Sequence, residues 1–73
     1  MVFRRERYVA VCDNRSKIFT DYHNWQDINK IKDVRILSWA SENKAKAALK
    51  MCNPPIDVEY EIVQMTETID IPD

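Results

Sequence analysis

The sequence predicts a small α+β protein with a single β-sheet and helices packed on one face of it. Three observations lead to this fold class. Two stretches rich in β-branched and aromatic residues flank a polar cluster near the start, and a stretch of strong helix formers in the second half ends at two consecutive prolines. An alternating apolar and acidic segment follows the prolines. The predicted order is strand, strand, short helix, strand, helix, strand (ββαβαβ), in one domain covering residues 1–73.

The first two strands form a predicted β-hairpin. Its strands are residues 7–12 (RYVAVC) and 17–22 (KIFTDY), and the polar letters DNRS between them form the turn. Because the chain contains no glycine, Asn14 is the residue best able to adopt a positive φ in this turn. The resulting register pairs Val11 with Ile18. Both faces of the hairpin then keep apolar residues, so each face needs a cover.

The middle of the chain predicts a short helix and a third strand. Residues 23–33 (HNWQDINKIKD) place apolar side chains at spacings of three and four, with Asn24 as the N-cap of about two helical turns. Residues 34–39 (VRILSW) are mostly apolar, which is typical of a central strand.

The second half predicts a well-defined helix and a last strand. Ser41 caps a helix over residues 42–52, and the letters NPP that follow end it. Residues 57–65 (DVEYEIVQM) alternate as a half-buried strand does. A parallel third and fourth strand would make a right-handed crossover through this helix. We expect an ordered core over residues 4–67 and a frayed tail over residues 68–73.

The composition excludes several functional classes. With no glycine among 73 residues, the chain cannot build a glycine-rich phosphate loop or a glycine-flanked nucleophile elbow. The longest apolar runs are about five residues, far short of a membrane span. No apolar leader precedes the two cysteines, which predicts reduced thiols and a cytoplasmic location. A chain of this length buries only about 60% of its unfolded surface, so self-association is the expected additional source of stability.

The residues with reactive side chains do not assemble a catalytic or metal site. In the predicted hairpin, Cys12 and His23 lie about 20 Å apart, too far for a thiol and its base. Cys52 is not positioned against His23 by anything in the sequence. Glu59 and Glu61 share a strand face, where alternate carboxylates usually face solvent. We therefore expect no enzymatic activity, no cofactor and no metal.

The charges are distributed unevenly along the chain. Residues 1–40 hold eight basic and five acidic side chains, whereas residues 41–73 hold three basic and seven acidic ones. Arginine combined with aromatic side chains is typical of single-strand binders, which use them for phosphate contact and base stacking. The candidate nucleic-acid contacts are Arg5, Arg7, Lys17 and Tyr22. In the hairpin the two arginines lie on one face and the lysine on the other, and charge pairing between strands is the simpler explanation.

A set of short motifs is spread over residues 8–50. It consists of YVAV at residues 8–11, KIF at residues 17–19, Trp25, and SW at residues 38–39 followed by Ala45 and Ala48. This pattern resembles the small RNA–DNA hybrid-binding domain found at the N-terminus of eukaryotic-type ribonuclease H and in viral viroplasmin proteins. The resemblance implies hybrid contacts by Tyr8, Lys17, Phe19 and Trp25. The chain departs from that family in lacking its glycines, in its shorter helix after the tryptophan and in its final acidic strand.

The favoured interpretation is a non-enzymatic protein-interaction module of the compact kind common among bacterial and phage proteins. We expect it to bind another protein or itself, with a homodimer as the simplest assembly, and not to contact a membrane. The expected surface is the hairpin face that the helices leave uncovered, together with the acidic strand. Its residues are Tyr8, Phe19, Trp25, Glu59 and Glu61. The alternative is a nucleic-acid-binding module, for single strands or RNA–DNA hybrids, that uses the basic and aromatic hairpin.

Overall fold

The computed structural model describes residues 1–31, 35–53 and 55–72. It contains one four-stranded sheet in the order β3-β2-β1-β4, and every pair of neighbouring strands is antiparallel. One α-helix packs against the sheet. The elements are β1 (Val2–Cys12), β2 (Lys17–Phe19), β3 (Trp25–Asp27), α1 (Glu42–Lys50) and β4 (Tyr60–Asp70). The mixed α+β class is confirmed.

The predicted ββαβαβ order is not what the described residues adopt, because they contain one α-helix and the last strand pairs with the first. β4 runs antiparallel to β1 over eleven residue pairs, from Val2 opposite Asp70 to Cys12 opposite Tyr60. The pairing places Val9 opposite Val63, which buries apolar side chains against each other. No parallel crossover is present in this part of the chain.

The hairpin register is confirmed next to the turn, where Val11 pairs with Ile18, and the turn is more contorted than the sequence indicated. The predicted second strand, residues 17–22, is too long, because β2 ends at Phe19 and the two strands diverge beyond these pairs. Three successive residues of the turn have positive φ, with values of 53°, 54° and 66° for Asp13, Asn14 and Arg15. Each non-glycine residue in this left-handed conformation destabilises the fold by up to about 1–2 kcal/mol, and this cost is smallest for asparagine and aspartate. The Ser16 amide donates to the carbonyl oxygen of Asp13 at 3.1 Å, which closes the turn.

The predicted helix over residues 23–33 is wrong, because tertiary contacts hold its first part in a strand. β3 pairs with β2, and the Trp25 ring packs on Phe19 at a centroid distance of 4.9 Å. Asn24 does not cap a helix: its side-chain oxygen accepts a hydrogen bond from the buried Thr20 hydroxyl at 2.6 Å. A single 3₁₀ turn, Ile28–Lys30, follows β3. Residues 32 and 33 of the predicted helix lie outside the described residues.

The predicted third strand occupies a central position without forming a regular ladder. Ile36 makes an isolated bridge to Thr20, and Trp39 makes another to Tyr8. The segment therefore lies between β1 and β2 where these strands diverge. Arg7 anchors it by donating to the hydroxyl and carbonyl oxygens of Ser38, at 3.1 and 2.9 Å. Residue 34 of the prediction is not among the described residues.

The second-half helix forms where the sequence predicts it. The Ser41 hydroxyl accepts a hydrogen bond from the Lys44 amide at 3.2 Å, which satisfies one of the free amides of the first turn. Ala45 and Leu49 are the buried residues of α1. The helix ends at Lys50, two residues before the predicted end.

The core consists of two clusters on opposite faces of the sheet. Odd-numbered residues of β1 face one cluster and even-numbered residues face the other, because side chains alternate along a strand. The first cluster contains Val9, Val11 and Ile18, with Ile31, Val63 and Met65 packed around it. The second, under α1, is centred on Ala10, Phe19 and Leu49.

β4 extends further than the sequence predicted. Residues 68–70 belong to this strand instead of fraying, because Val2, Phe3 and Arg4 pair with them. The N-terminal half of β1 and the C-terminal half of β4 thus form a two-stranded ribbon that projects from the core. The Cα radius of gyration is 13.1 Å, with extents of 44 × 27 × 21 Å. A compact chain of this length would have a radius of about 11 Å, so the projecting ribbon makes the molecule elongated.

Candidate functional site

The aromatic residues expected to anchor an interaction belong mainly to the core. Phe19 is 2% exposed and lies under α1 against Leu49, not on an uncovered face, because the hairpin register gives it the same face as Ala10. Trp25 is half-buried beside it, and Tyr8 is half-buried where it bridges Trp39. The structure therefore does not bring these three side chains together as an exposed anchor.

Arg5 and Arg7 already have hydrogen-bond partners within the chain. Arg5 donates to the Glu67 carboxylate at 2.8 Å, directly across the β1–β4 ladder. Arg7 is bound to Ser38. Arg5 and Arg7 lie on one face of the sheet, as the hairpin register predicts. Lys17 pairs with Cys12 and therefore lies on the other face. Lys17 is exposed, and Tyr22, in the turn after β2, is 75% exposed.

The two glutamates of the acidic strand have different positions. Glu59 is exposed and precedes β4, whereas Glu61 lies within it. The Arg15 guanidinium donates to both carboxylate oxygens of Glu61, at 3.1 and 3.3 Å. These hydrogen bonds lower the pKa of Glu61 below its ordinary value and raise the pKa of Arg15. Glu61 therefore carries a local counter-ion.

Cys12 and Cys52 are both free thiols and do not form a disulfide with each other. Cys12 is buried, and burial raises its thiol pKa, with a smaller opposing effect from the Lys17 charge. Cys52 is half-buried and donates to the Ala48 carbonyl oxygen at 3.5 Å. Within residues 1–31, 35–53 and 55–72, no group of three His, Cys, Asp or Glu side chains is placed to hold a metal ion. No helix in those ranges is long and apolar enough to cross a membrane.

The functional feature that the sequence analysis missed is the outer edge of β4. Tyr8 exchanges two backbone hydrogen bonds with Trp39, so its amide and carbonyl groups turn away from β4. Backbone groups alternate in direction along a strand, so the odd-numbered residues of β1 bond to β4. The reciprocal bonds between Met1 and Ile71, both 2.8 Å, agree with this alternation. The even-numbered residues of β4 consequently direct their amide and carbonyl groups outward.

No described segment pairs with this outer edge, and the strand carries no lysine, proline or β-bulge. Natural edge strands are commonly protected by lysine, proline or a β-bulge. β4 contains neither lysine nor proline, and its ladder to β1 is continuous over eleven residues. Of the outward-directed residues beyond the helix, Gln64, Thr66 and Thr68 are exposed and uncharged, and Asp70, the last residue of the strand, is exposed and charged.

The other open edge of the ribbon, on β1, differs in its chemistry. There the outward-directed positions include Arg4 and Glu6, which are charged and exposed. Charged side chains at an edge disfavour pairing with another strand. Of the two edges of the ribbon, that of β4 therefore has fewer charged outward-directed positions.

The tip of the ribbon carries exposed apolar side chains. On one face lie Met1 (61% exposed), Phe3 (47%), Ile71 (45%) and the half-buried Ile69. The Arg5–Glu67 ion pair separates this patch from the core. A contiguous exposed apolar patch is a candidate interaction surface. The alternation of residues 67–71 in the sequence is the signal that could have revealed both the longer strand and the patch.

A groove of about 630 Å³ lies at the opposite end of β4, beside the hairpin turn. Its walls include Val58, Glu59 and Tyr60 on one side and Asp13 and Lys17 on the other. Val58 is 43% exposed. The groove thus combines apolar and charged surface next to the first residues of the edge strand.

Comparison with protein-family models, with curated proteins and with solved structures finds no match to this chain. The resemblance to the hybrid-binding domain therefore stays a prediction from the residues. Of the four contact residues that it implies, Phe19 is buried.

Proposed function

We propose that this protein is a non-enzymatic interaction module that self-associates by pairing the open edge of β4 with β4 of a second copy. The single observation that carries the proposal is the outer edge of this eleven-residue strand, which no described segment pairs with and which contains no lysine, proline or β-bulge. Strand addition supplies main-chain hydrogen bonds without requiring a deep pocket. Two identical antiparallel strands meet around a two-fold axis, so the assembly closes as a dimer.

The charges of β4 are compatible with this pairing. Glu61 is paired with Arg15, and Glu67 is paired with Arg5. Each glutamate of the strand therefore has a counter-ion within its own chain. Uncompensated like charges on facing strands would oppose association. The residues between these glutamates are polar or apolar and uncharged. The strand can therefore approach a copy of itself without a large electrostatic penalty in registers that keep these glutamates from lying directly opposite each other.

The alternative of nucleic-acid binding has less support. Arg5 and Arg7 donate hydrogen bonds within the chain, and a phosphate would have to compete with Glu67 and Ser38 for them. The formal net charge of −1 supplies no overall attraction for a polyanion. Self-association through β4 requires no such rearrangement.

A proline at position 66 tests the proposal. Thr66→Pro removes an outward-directed amide, and proline is tolerated in an edge strand whose N–H side faces solvent. We expect the natural chain to approach the dimer mass with rising concentration in light scattering, and the folded Thr66→Pro variant to stay monomeric. Thr66→Ala keeps the amide and is the matched control, which should still dimerise. A natural chain that is monomeric at all concentrations, or a Thr66→Pro variant that dimerises like it, would overturn the proposal.

A further inference from the structure

The geometry points to one register for the paired strands, in which Met65 lies opposite the partner's Met65. In this register each ribbon tip reaches the hairpin-end groove of the other copy. The inference rests on the proposed function and specifies its interface. It accounts together for the open edge, the exposed apolar tip and the groove.

The direction of the backbone groups restricts the registers available. In an antiparallel ladder, hydrogen bonds are exchanged between residues whose groups face each other. Only the even-numbered residues of β4 direct these groups outward, so even-numbered residues must lie opposite even-numbered residues of the partner. The two-fold axis must therefore pass through a residue of β4 and not between two residues.

Charge disfavours two of the other registers. A two-fold axis at Gln64 would place Glu61 directly opposite the partner's Glu67. An axis at Glu67 would place this glutamate opposite the partner's Glu67. Like charges directly opposite each other destabilise a strand pair.

The register centred on Thr66 is disfavoured by the position of a proline. It would place Tyr60 opposite the partner's Pro72, which has no amide hydrogen to donate. The axis at Met65 instead pairs the whole of Tyr60–Asp70 with itself and leaves proline outside the ladder.

The Met65 register joins the apolar tip to the groove. Antiparallel pairing brings the partner's Ile69 opposite Glu61 and the partner's Ile71 alongside Glu59, beside Val58. Ile71 and Val58 are 45% and 43% exposed in the single chain, and the groove lies where they would meet. The groove of each copy therefore covers the apolar tip of the other copy. The dimer contains this contact between tip and groove twice.

Single cysteines on β4 report the register directly. In full-length chain carrying Cys12→Ala and Cys52→Ala, we compare Met65→Cys with Gln64→Cys and Thr66→Cys under mild oxidation. Opposite residues of a non-hydrogen-bonded pair have Cα atoms about 4.5 Å apart, within the range of a disulfide. In the proposed register Gln64 and the partner's Gln64 are displaced by two residues, beyond this range, and the same holds for Thr66.

We expect Met65→Cys alone of the three to form a disulfide-linked dimer. Preferential cross-linking of Gln64→Cys or Thr66→Cys would overturn the register while supporting pairing through β4. A chain that dimerises in light scattering, yet cross-links at none of the three positions, would also overturn it. If light scattering finds only monomer, the result overturns the proposed self-association itself, and the register with it.

A second comparison needs no change to the natural cysteines. Ile71→Asp places a charge at the groove contact, whereas Val2→Asp places one on the other face of the tip, one strand away from the interface. Burial of an isoleucine side chain is worth a factor of about ten or more in binding. We expect Ile71→Asp to raise the dimer dissociation constant by at least about tenfold and Val2→Asp to leave it nearly unchanged. Equal effects of the two variants would contradict the contact between tip and groove.

Discussion

Arg15, in the turn of the hairpin, binds Glu61 on the edge strand through two hydrogen bonds, of 3.1 and 3.3 Å. The two residues are 46 positions apart in the chain. Arg15 is also the third successive residue with positive φ, so the ion pair lies at the most contorted part of the backbone. The contact links the β1–β2 turn to β4, across the end of β1.

The first prediction concerns the pH dependence of this contact. The pKa of Glu61 is lowered in the folded chain, so its stabilising effect is present above the pKa of an unfolded glutamate, about 4.3, and is lost as the pH falls through the lower folded value. Glu61→Gln should therefore reduce the loss of stability between pH 7 and pH 3, as measured by urea unfolding. Arg15→Gln should have the same effect, and the double variant should add nothing. Additive effects would show that the two side chains act independently.

Two substitutions of Asn14, in the hairpin turn, should change the free energy of unfolding in opposite directions. Its φ of 54° is left-handed, a conformation that glycine adopts freely and alanine does not. Asn14→Gly should raise the free energy of unfolding by about 0.5 kcal/mol, and Asn14→Ala should lower it by about 1 kcal/mol. Urea unfolding at neutral pH measures both. If alanine is tolerated as well as glycine, the turn does not hold this conformation in solution.

We expect a large loss of folding stability when Leu49, in the core under α1, is truncated. This residue is 3% exposed and packs with Ala10 and Phe19. Leu49→Ala should destabilise the fold by about 2–5 kcal/mol. The exposed neighbour Lys50→Ala is the control and should change stability by less than about 0.5 kcal/mol. A charge at Phe19, which is 2% exposed in the same cluster, should likewise unfold the chain.

The thiols should differ in their rate of alkylation. Cys12 is 8% exposed and burial raises its pKa, which disfavours the reactive thiolate, whereas Cys52 is half-buried near the end of α1. Iodoacetamide should modify Cys52 well before Cys12 in the folded chain, and at similar rates in urea. Mass spectrometry of the peptides distinguishes the two sites. Faster modification of Cys12 would contradict its buried position between β2 and β4.

The sequence was informative where local signals and burial agree. The Ser41 cap and the run of strong helix formers predicted α1, and the polar turn predicted the register of Val11 and Ile18. It failed at residues 23–33 because the contacts that make β3 a strand, between Trp25 and Phe19 and between Thr20 and Asn24, depend on tertiary packing. The open edge of β4 could not be predicted, since strand order decides which backbone groups lack partners.

Amide hydrogen exchange, followed by NMR over a range of protein concentration, tests the central claim most directly. The amides of Val63, Met65 and Glu67 bond to β1 and should be protected at every concentration. The outward-directed amides of Gln64, Thr66 and Thr68 should exchange rapidly in dilute solution and become protected as the chain dimerises. Concentration-independent, rapid exchange at these three amides would contradict pairing through the edge of β4.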